Sequence, residues 1–77
     1  MISGIQIRCA RLALRWSVQE LAGRSMVSTS TIKRIEAQDG IPSATFANLA
    51  ALKVVFEGAG IEFIGAPDDG PGIRVRT

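Results

Sequence analysis

The segment "SMVSTSTIKR", residues 25–34, contains four consecutive hydroxyl residues followed by an isoleucine and two cations. Taken alone, this run could be a polar linker or the first turn of a helix. Ile32 and Ile35 follow it one helical turn apart, and Ser28 begins the run. Ser and Thr oxygens accept hydrogen bonds from the unpaired amides at a helix start. The segment therefore predicts a helix over about residues 29–36, with Ser28 as its N-cap.

Two further helices are predicted upstream of this segment. The capping-box pattern Ser-Gly-Ile-Gln at residues 3–6 predicts a first helix over about residues 4–14. The similar pattern Ser-Val-Gln-Glu at residues 17–20 predicts a second helix that ends near Ser25. Apolar residues at helical spacing predict the buried face of the first helix, namely Ile5, Cys9, Leu12 and Trp16. On that face the cysteine would be a packed, inert thiol.

A fourth helix is predicted after the Ala-Gln-Asp-Gly stretch at residues 37–40, which ends the third. Ser43 is its expected N-cap, and it runs to about residue 57 or 58. Apolar residues occupy two of its sides, with Phe46, Leu49, Leu52 and Phe56 on the main face and Ala47, Ala51 and Val54 nearly opposite. A helix that is apolar on two sides is usually covered on both.

The last part of the chain changes to a β pattern. Residues 61–64 and 73–76 alternate between apolar and polar side chains, and a Pro- and Gly-rich loop at 65–72 separates them. This pattern predicts a hairpin. An isolated two-stranded hairpin is marginal in water, so it must lie against a helix or a partner chain.

The composition is that of one small domain without disulfide or metal support. The chain has 77 residues, of which 47% are hydrophobic, with one cysteine and no histidine. A disulfide within the chain is impossible and a structural zinc site lacks ligands, and both absences fit a reducing, cytoplasmic setting. No apolar run reaches the roughly 18 residues of a membrane span, and the first residues carry no signal-peptide pattern. We therefore expect a cytoplasmic protein that does not enter a membrane.

Charge is distributed unevenly along the chain. Residues 1–36 carry six Lys and Arg against two Glu, a net charge of +4, whereas residues 54–77 carry two Arg against four Asp and Glu, a net charge of −2. A basic front half indicates an anionic partner, although an ordinary solvated distribution explains it equally well. The sequence shows no nucleophile–base pair and no phosphate-cradling Gly loop. We therefore expect neither enzymatic activity nor a cofactor.

Two short helices separated by about three residues, the second beginning in small polar side chains, are typical of a helix-turn-helix. In that motif the second helix enters the major groove of DNA, while the first crosses the phosphate backbone. Residues 16–52 resemble the Cro/phage-repressor (xenobiotic-response-element) family of bacterial helix-turn-helix regulators, and with the first helix the similarity extends over about residues 5–57. The positions that carry it best are Leu21-Ala22, Val27-Ser28, Ser30-Thr31-Ile32 and Arg34-Ile35-Glu36.

The resemblance implies a mainly α fold, in which a four-helix, lambda-repressor-like DNA-binding domain over residues 1–60 precedes a β-hairpin tail. The tail, residues 61–77, would serve dimerisation or packing. The predicted DNA-binding residues are Ser17, Val18, Gln19, Ser28, Thr29, Ser30, Thr31, Lys33 and Arg34. Within this set the resemblance implies base contacts from Thr29, Ser30 and Lys33 and phosphate contacts from most of the others. The arginine after the lysine points about 100° away around the helix, which favours a phosphate or surface role.

The resemblance also assigns roles to the arginines of the first helix. Family members commonly pair an arginine there with the glutamate that ends the third helix, which here corresponds to Arg11 and Glu36. Such a pair would brace the recognition helix. Arg8 and Arg15 share the exposed side of the same helix and remain candidates for phosphate contacts.

Two positions depart from the family pattern. Met26 occupies the turn position that usually holds Gly because it needs a positive φ, which costs another residue roughly 1 kcal/mol or more. The turn is therefore either built differently or strained and supported by packing. Val18 stands where the family often has a glutamine that touches DNA, and it offers only apolar contact to the backbone or to a thymine methyl.

These features predict a sequence-specific transcriptional regulator that binds double-stranded DNA as a homodimer. The resemblance implies a repressor, whereas the sequence itself leaves open whether regulation is negative or positive. Ser and Thr read bases less selectively than bidentate Gln, Asn or Arg, so a dimer is needed for useful affinity. The alternative is an antitoxin-like or other protein-interaction module that retains the helix-turn-helix and has a toxin or another protein as partner. Co-purification of a second chain would distinguish the two.

Overall fold

The structure, a computed structural model, describes residues 2–76. Four helices precede an antiparallel hairpin, and the elements are α1 Gly4–Ala13, α2 Val18–Ser25, α3 Thr29–Glu36, α4 Phe46–Gly58, β1 Ile61–Ala66 and β2 Asp69–Val75. This order confirms the predicted fold class and the bounds of the first three helices to within a residue. None of the helices in residues 2–76 has the length and apolar character required to cross a membrane.

Hydroxyl side chains begin all four helices. Ser3, Ser17 and Ser28 each accept a hydrogen bond from the amide three residues ahead, as predicted. The predicted cap of α4 at Ser43 is wrong, because Thr45 Oγ1 accepts from the Asn48 amide at 3.1 Å and begins the helix two residues later.

The predicted buried face of α1 is wrong at Cys9 and Leu12. Ile7 and Ala10 are fully buried, whereas Leu12 is 60% exposed and Cys9 is exposed, so its thiol is not part of the core. The contact between α1 and the end of α3 determines this rotation. Gly4 lies so close to that end that a Cβ atom on it would collide with backbone carbonyl oxygens.

The buried face of α4 contains fewer residues than predicted. Leu49, Leu52 and Phe56 are buried, but Phe46 is 81% exposed. Phe46 lies about 60° around the helix from Leu49, on the side away from the other two, so it falls outside the core-facing stripe. Val54 is also exposed, at 68%.

The strands of the hairpin are longer, and its turn is shorter, than the predicted loop at 65–72 allows. Antiparallel pairing joins Ile61 to Val75 and Phe63 to Ile73, and it continues into the predicted loop as far as the pair of Ala66 with Asp69. Two glycines within that loop adopt positive φ angles of 75° and 66°, which lets the strands extend to a short turn.

The hairpin packs on α1 and α4 of its own chain. Ile61 is 2% exposed, and the ring of Phe63 meets Phe56 edge-on with 6.0 Å between ring centroids. Its outer face carries charge, because Arg74 and Arg76 both pair with Glu62. The hydrogen bond from Arg76 and the charge of both arginines lower the pKa of Glu62.

Candidate nucleic-acid interface

α2 and α3 form the helix-turn-helix that the sequence predicts, with three residues between them. Leu21, Val27 and Ile32 are buried and belong to one apolar core. The Ser25 hydroxyl donates to the Leu21 carbonyl at 2.7 Å and accepts from the Val27 amide at 3.2 Å. A buried hydroxyl that both donates and accepts a hydrogen bond therefore holds the turn in one conformation.

The N-terminal end of α3 presents a cluster of hydroxyl groups. Ser28 Oγ accepts from the Thr31 amide at 3.3 Å, donates to Thr31 Oγ1 at 2.9 Å and lies 3.3 Å from Ser30 Oγ. Ser28 and Ser30 are exposed, and Thr29 and Thr31 are partly exposed. Hydroxyl groups both donate and accept, so this turn can meet phosphate oxygens as well as base edges.

Lys33 and Arg34 continue this surface along α3. Both side chains are exposed, and neither forms an ion pair with any of residues 2–76. Lys33 lies one helical turn beyond Thr29 and Ser30 and shares their side of the helix. The charges here are uncompensated within that part of the chain, which suits an anionic partner.

The start of α2 contributes exposed polar groups as well. Ser17 caps the helix by accepting from the Glu20 amide at 3.0 Å, and Gln19 next to it is exposed. Val18 lies partly buried against the core, so only part of its side chain is open to contact. Eight of the nine predicted DNA-binding residues thus have a polar side chain that is at least partly open to solvent. The ninth, Val18, is apolar.

An ion pair braces α3, as the resemblance implied. Arg11 Nε lies 2.8 Å from Glu36 Oε2, and Arg11 Nη2 donates to Glu36 Oε1 at 2.9 Å, which makes the pair bidentate. The third donor, Nη1, reaches the Trp16 carbonyl at 2.9 Å. The hydrogen bond to Glu36 raises the pKa of Arg11, so the guanidinium stays charged at every physiological pH. The predicted pairing is confirmed.

Arg8 has a structural role that sequence reasoning missed. Its Nη1 donates to the Glu36 carbonyl at 2.6 Å and its Nη2 to Asp39 Oδ1 at 3.0 Å. A cation at this place complements the negative end of the α3 dipole. The spacing of three residues between Arg8 and Arg11 places both arginines on one side of α1. This spacing was the sequence pattern from which the structural role of Arg8 could have been predicted. Arg8 therefore holds the end of α3, whereas Arg15 is exposed.

Trp16 packs at the margin of the core, as expected, and is not a free stacking platform. Its ring stacks on Phe56 with 5.8 Å between centroids. The Arg24 guanidinium lies 4.4 Å from the centroid of the same ring and pairs with Glu20 at 2.9 Å. The last turn of α2 is thereby fixed to the connection between α1 and α2, a contact for which the sequence offered no clear pattern.

Met26 adopts the left-handed conformation itself, with φ 62° and ψ 19°, so the turn keeps the usual geometry without glycine. Its amide donates to the Ala22 carbonyl at 2.9 Å and closes α2. Of the two alternatives, the turn is the strained one, but packing of the Met26 side chain does not support it, because that side chain is 90% exposed. The backbone strain at this position is therefore not offset by burial.

Replacing Met26 with glycine is expected to raise the free energy of unfolding by about 0.5–1 kcal/mol, because glycine adopts this φ without steric cost. Urea denaturation followed by circular dichroism measures the change. Met26→Ala is the matched control, since it removes the exposed side chain but keeps the strain, and we expect it to remain near the parent value. A glycine variant less stable than the parent would show that the turn is not strained.

Comparisons with known proteins agree with this geometry. A family model described as helix-turn-helix matches residues 7–51, which contain α2, the turn, α3 and the first part of α4. No curated protein matches the chain significantly. Within residues 2–76, no group of three or more His, Cys, Asp and Glu side chains is arranged to hold a metal ion.

Proposed function

The chain belongs to the Cro/C1-type helix-turn-helix family, whose model covers more than half of it, and we propose that it is a sequence-specific transcriptional regulator that binds its operator as a homodimer. The family is one of DNA-binding proteins, and double-stranded DNA is the partner that it indicates. We further propose that the protein acts as a repressor.

The exposed side of α3 is the observation that carries this proposal. Ile32 and Ile35 are fully buried and anchor one side of the helix. The other side presents Thr29, Ser30 and Lys33, the residue types and positions that can reach base edges when the helix lies in a major groove. The capping hydroxyls and the amides at the helix start suit phosphate.

The side chains proposed for base contact on α3 discriminate weakly between bases, and this favours a dimer. Hydroxyl side chains discriminate bases less than bidentate pairs, each of which gives roughly 1–3 kcal/mol. Lys33 is the only long donor on the base-facing side of α3. Two copies would read two half-sites about 34 Å apart, or a multiple of that, and so multiply the weak preference of each.

The test begins with selection of a preferred duplex from a random pool, followed by titration at several salt concentrations. We expect Lys33→Gln to weaken binding to the preferred duplex by roughly 1–3 kcal/mol and to relax sequence preference. Arg34→Gln should weaken binding to all duplexes alike and reduce the salt slope by about one.

Arg76→Gln is the matched control, because it removes one cation from the outer face of the hairpin, where Arg74 still pairs with Glu62. We expect it to change neither the preference nor the slope. If the pool yields no preferred sequence, the proposal of sequence-specific regulation fails.

An antitoxin-like role is the second candidate, and the limited base-reading set favours it, since a protein partner could supply what that set lacks. Here the helix-turn-helix would remain while a second chain binds elsewhere. Isolation of the tagged protein at native abundance with a second chain in fixed stoichiometry would support this role. Isolation of the chain alone would argue against it.

A further inference from the structure

A cavity that the proposed function does not use lies beside the first half of α4. Its volume is about 150 Å³, and its mainly apolar lining comes from Ile2, Phe46, Leu49, Ala50 and Lys53. The four α4 residues follow one another at steps of one, three and four, so they share one side of the helix over two turns. Ile2, which precedes the cap of α1, lines the cavity from another part of the chain.

The lining combines a buried base with an exposed aromatic ring. Ile2 and Leu49 are 4% and 6% exposed, whereas Phe46 is 81% exposed. An apolar cavity of about 150 Å³ has room for a benzene ring. A ring bound here would cover part of Phe46, and two aromatic rings in contact attract each other beyond the effect of the buried area.

Lys53 adds one positive charge to this apolar lining. Its side chain is exposed and forms no ion pair with any of residues 2–76, Glu57 one turn further along the helix included. Long side chains on a helix lean toward its N-terminus, so Lys53 reaches back over the turn of Leu49 and Ala50. Its methylene stem packs on the apolar lining while the ammonium group stays in water.

We propose that this cavity binds a small aromatic carboxylate, with the ring against Phe46 and Leu49 and the carboxylate at the Lys53 ammonium. Phe46 and Lys53 are about 10 Å apart along the helix axis, and the backward lean of the lysine shortens this distance to the length of a benzoate-sized acid. Removal of the ring from water drives binding, and the charge pair fixes the orientation of the ligand.

A single ring fits this site better than a protein surface does. Phe46 supplies nearly all the exposed apolar surface at the cavity, because Ile2 and Leu49 are buried. Val54, the other strongly exposed apolar side chain of α4, lies about 80° around the helix from Phe46. A stable protein interface buries roughly 800 Å² on each partner, which is far more than one ring offers.

The site is separate from the candidate nucleic-acid interface. None of its five lining residues belongs to the predicted DNA-binding set, and the binding test contains no DNA. If the parent binds the carboxylate but selects no duplex, the site stands and the proposed regulatory function fails. If the parent selects a duplex but does not bind the carboxylate, the proposed function stands and the site fails.

Titration of the full-length ¹⁵N-labelled protein with sodium benzoate tests the site, with sodium chloride keeping the ionic strength constant. We expect saturable shifts of the Leu49, Ala50 and Lys53 amide signals, with a Kd of about 1 mM or below, as is typical of a ligand of this size. Benzamide, a neutral analogue of the same shape, should bind about threefold less tightly, the effect of one exposed ion pair. Shifts that never saturate, or equal affinities for the two ligands, would overturn the proposal.

Variants at position 53 test the carboxylate contact. Lys53→Gln should reduce the affinity for benzoate to that for benzamide, whereas Lys53→Arg, which keeps the charge, should retain the preference. The residue is exposed, so neither change should alter the circular dichroism spectrum. A preference for benzoate that survives in Lys53→Gln would show that the carboxylate lies elsewhere.

Variants of two alanines on α4 test the location of the ring. Ala50→Leu places a larger side chain in the cavity and should abolish saturable binding of both ligands. Ala47→Leu is the matched control, because it makes the same change at an exposed position about 100° around the helix from Phe46. Equal binding by the two variants would overturn the proposal. Concentration-dependent shifts of the same amides in the ligand-free parent would also overturn it, since a second copy would then cover the cavity.

Discussion

Replacing Glu36 with alanine is expected to lower the free energy of unfolding by about 3–5 kcal/mol, the cost of leaving one member of a largely buried ion pair without its partner. The side chains of Arg11 and Glu36 are 16% and 9% exposed. Without the carboxylate, the Arg11 guanidinium keeps only its bond to the Trp16 carbonyl. Small domains have little stability in excess, so this one change can unfold a large fraction of the molecules. Urea denaturation at neutral pH measures the loss.

The exposed pair of Glu20 with Arg24 provides the matched control. Its side chains are 47% and 50% exposed, and Glu20→Ala should cost less than about 1 kcal/mol. The double variant Arg11→Met/Glu36→Leu removes both charges together and should recover much of the stability lost by Glu36→Ala. If Glu36→Ala proves no more costly than Glu20→Ala, the pair is not a brace.

The position of this pair connects stability to the proposed function. Glu36 is the last residue of α3, and its carbonyl also accepts from Arg8. The exposed hydroxyls and Lys33 are presented by a helix whose far end is held at two points. A folded variant that lacks the brace should therefore bind DNA less tightly, although no predicted DNA contact is altered.

Features set by a few neighbouring residues could be predicted from the sequence. The caps Ser3, Ser17 and Ser28 depend only on a hydroxyl and the amide three residues ahead, so the predicted helix starts agree with the structure. The pairing of Arg11 with Glu36 followed from the family pattern. The candidate recognition helix was therefore located correctly without any knowledge of packing.

Features set by contacts between distant segments could not be predicted in this way. The rotation of α1 follows from the close approach of Gly4 to the end of α3, which no periodicity in α1 reveals. The apolar stripe through Cys9 and Leu12 had the right spacing and still faces solvent. Exposed apolar positions such as Phe46 also satisfy a helical pattern, so the pattern alone does not identify which face is covered by the chain itself.

Gln6 is the residue that attaches the hairpin to α1, and its replacement should have the second large effect. Its Nε2 donates to the carbonyl oxygens of Ile64 and Gly72, each at 2.9 Å, while its Oε1 accepts from the amide and hydroxyl of Ser3 at 2.8 and 3.1 Å. The residue is 1% exposed. A carboxylate here would face two carbonyl oxygens with no proton to donate. Gln6→Glu is therefore expected to cost about 3–5 kcal/mol at neutral pH, as an unpaired buried charge does.

The loss in Gln6→Glu should depend on pH in a definite direction. Burial and the two carbonyl oxygens raise the pKa of the introduced carboxyl in the folded state above its unfolded value of about 4.3. Between those two pKa values the folded state binds more protons, so the stability of the variant falls as pH rises. The protonated acid can donate to one of the two carbonyls. Denaturation from pH 4 to pH 8 should thus show the variant approaching the parent at the acidic end.

Gln6→Leu separates the charge from the lost hydrogen bonds. Leucine has a similar size, cannot ionise and leaves the same carbonyls unpaired. We therefore expect Gln6→Leu to lower the free energy of unfolding by about 2–3 kcal/mol relative to the parent, by the same amount at every pH. Hydrogen exchange of the hairpin amides should accelerate in both variants, because a hairpin detached from α1 is marginal in water. Parallel pH curves for Gln6→Glu and Gln6→Leu would mean that the introduced carboxyl reaches solvent. Position 6 would then not be the buried attachment between α1 and the hairpin.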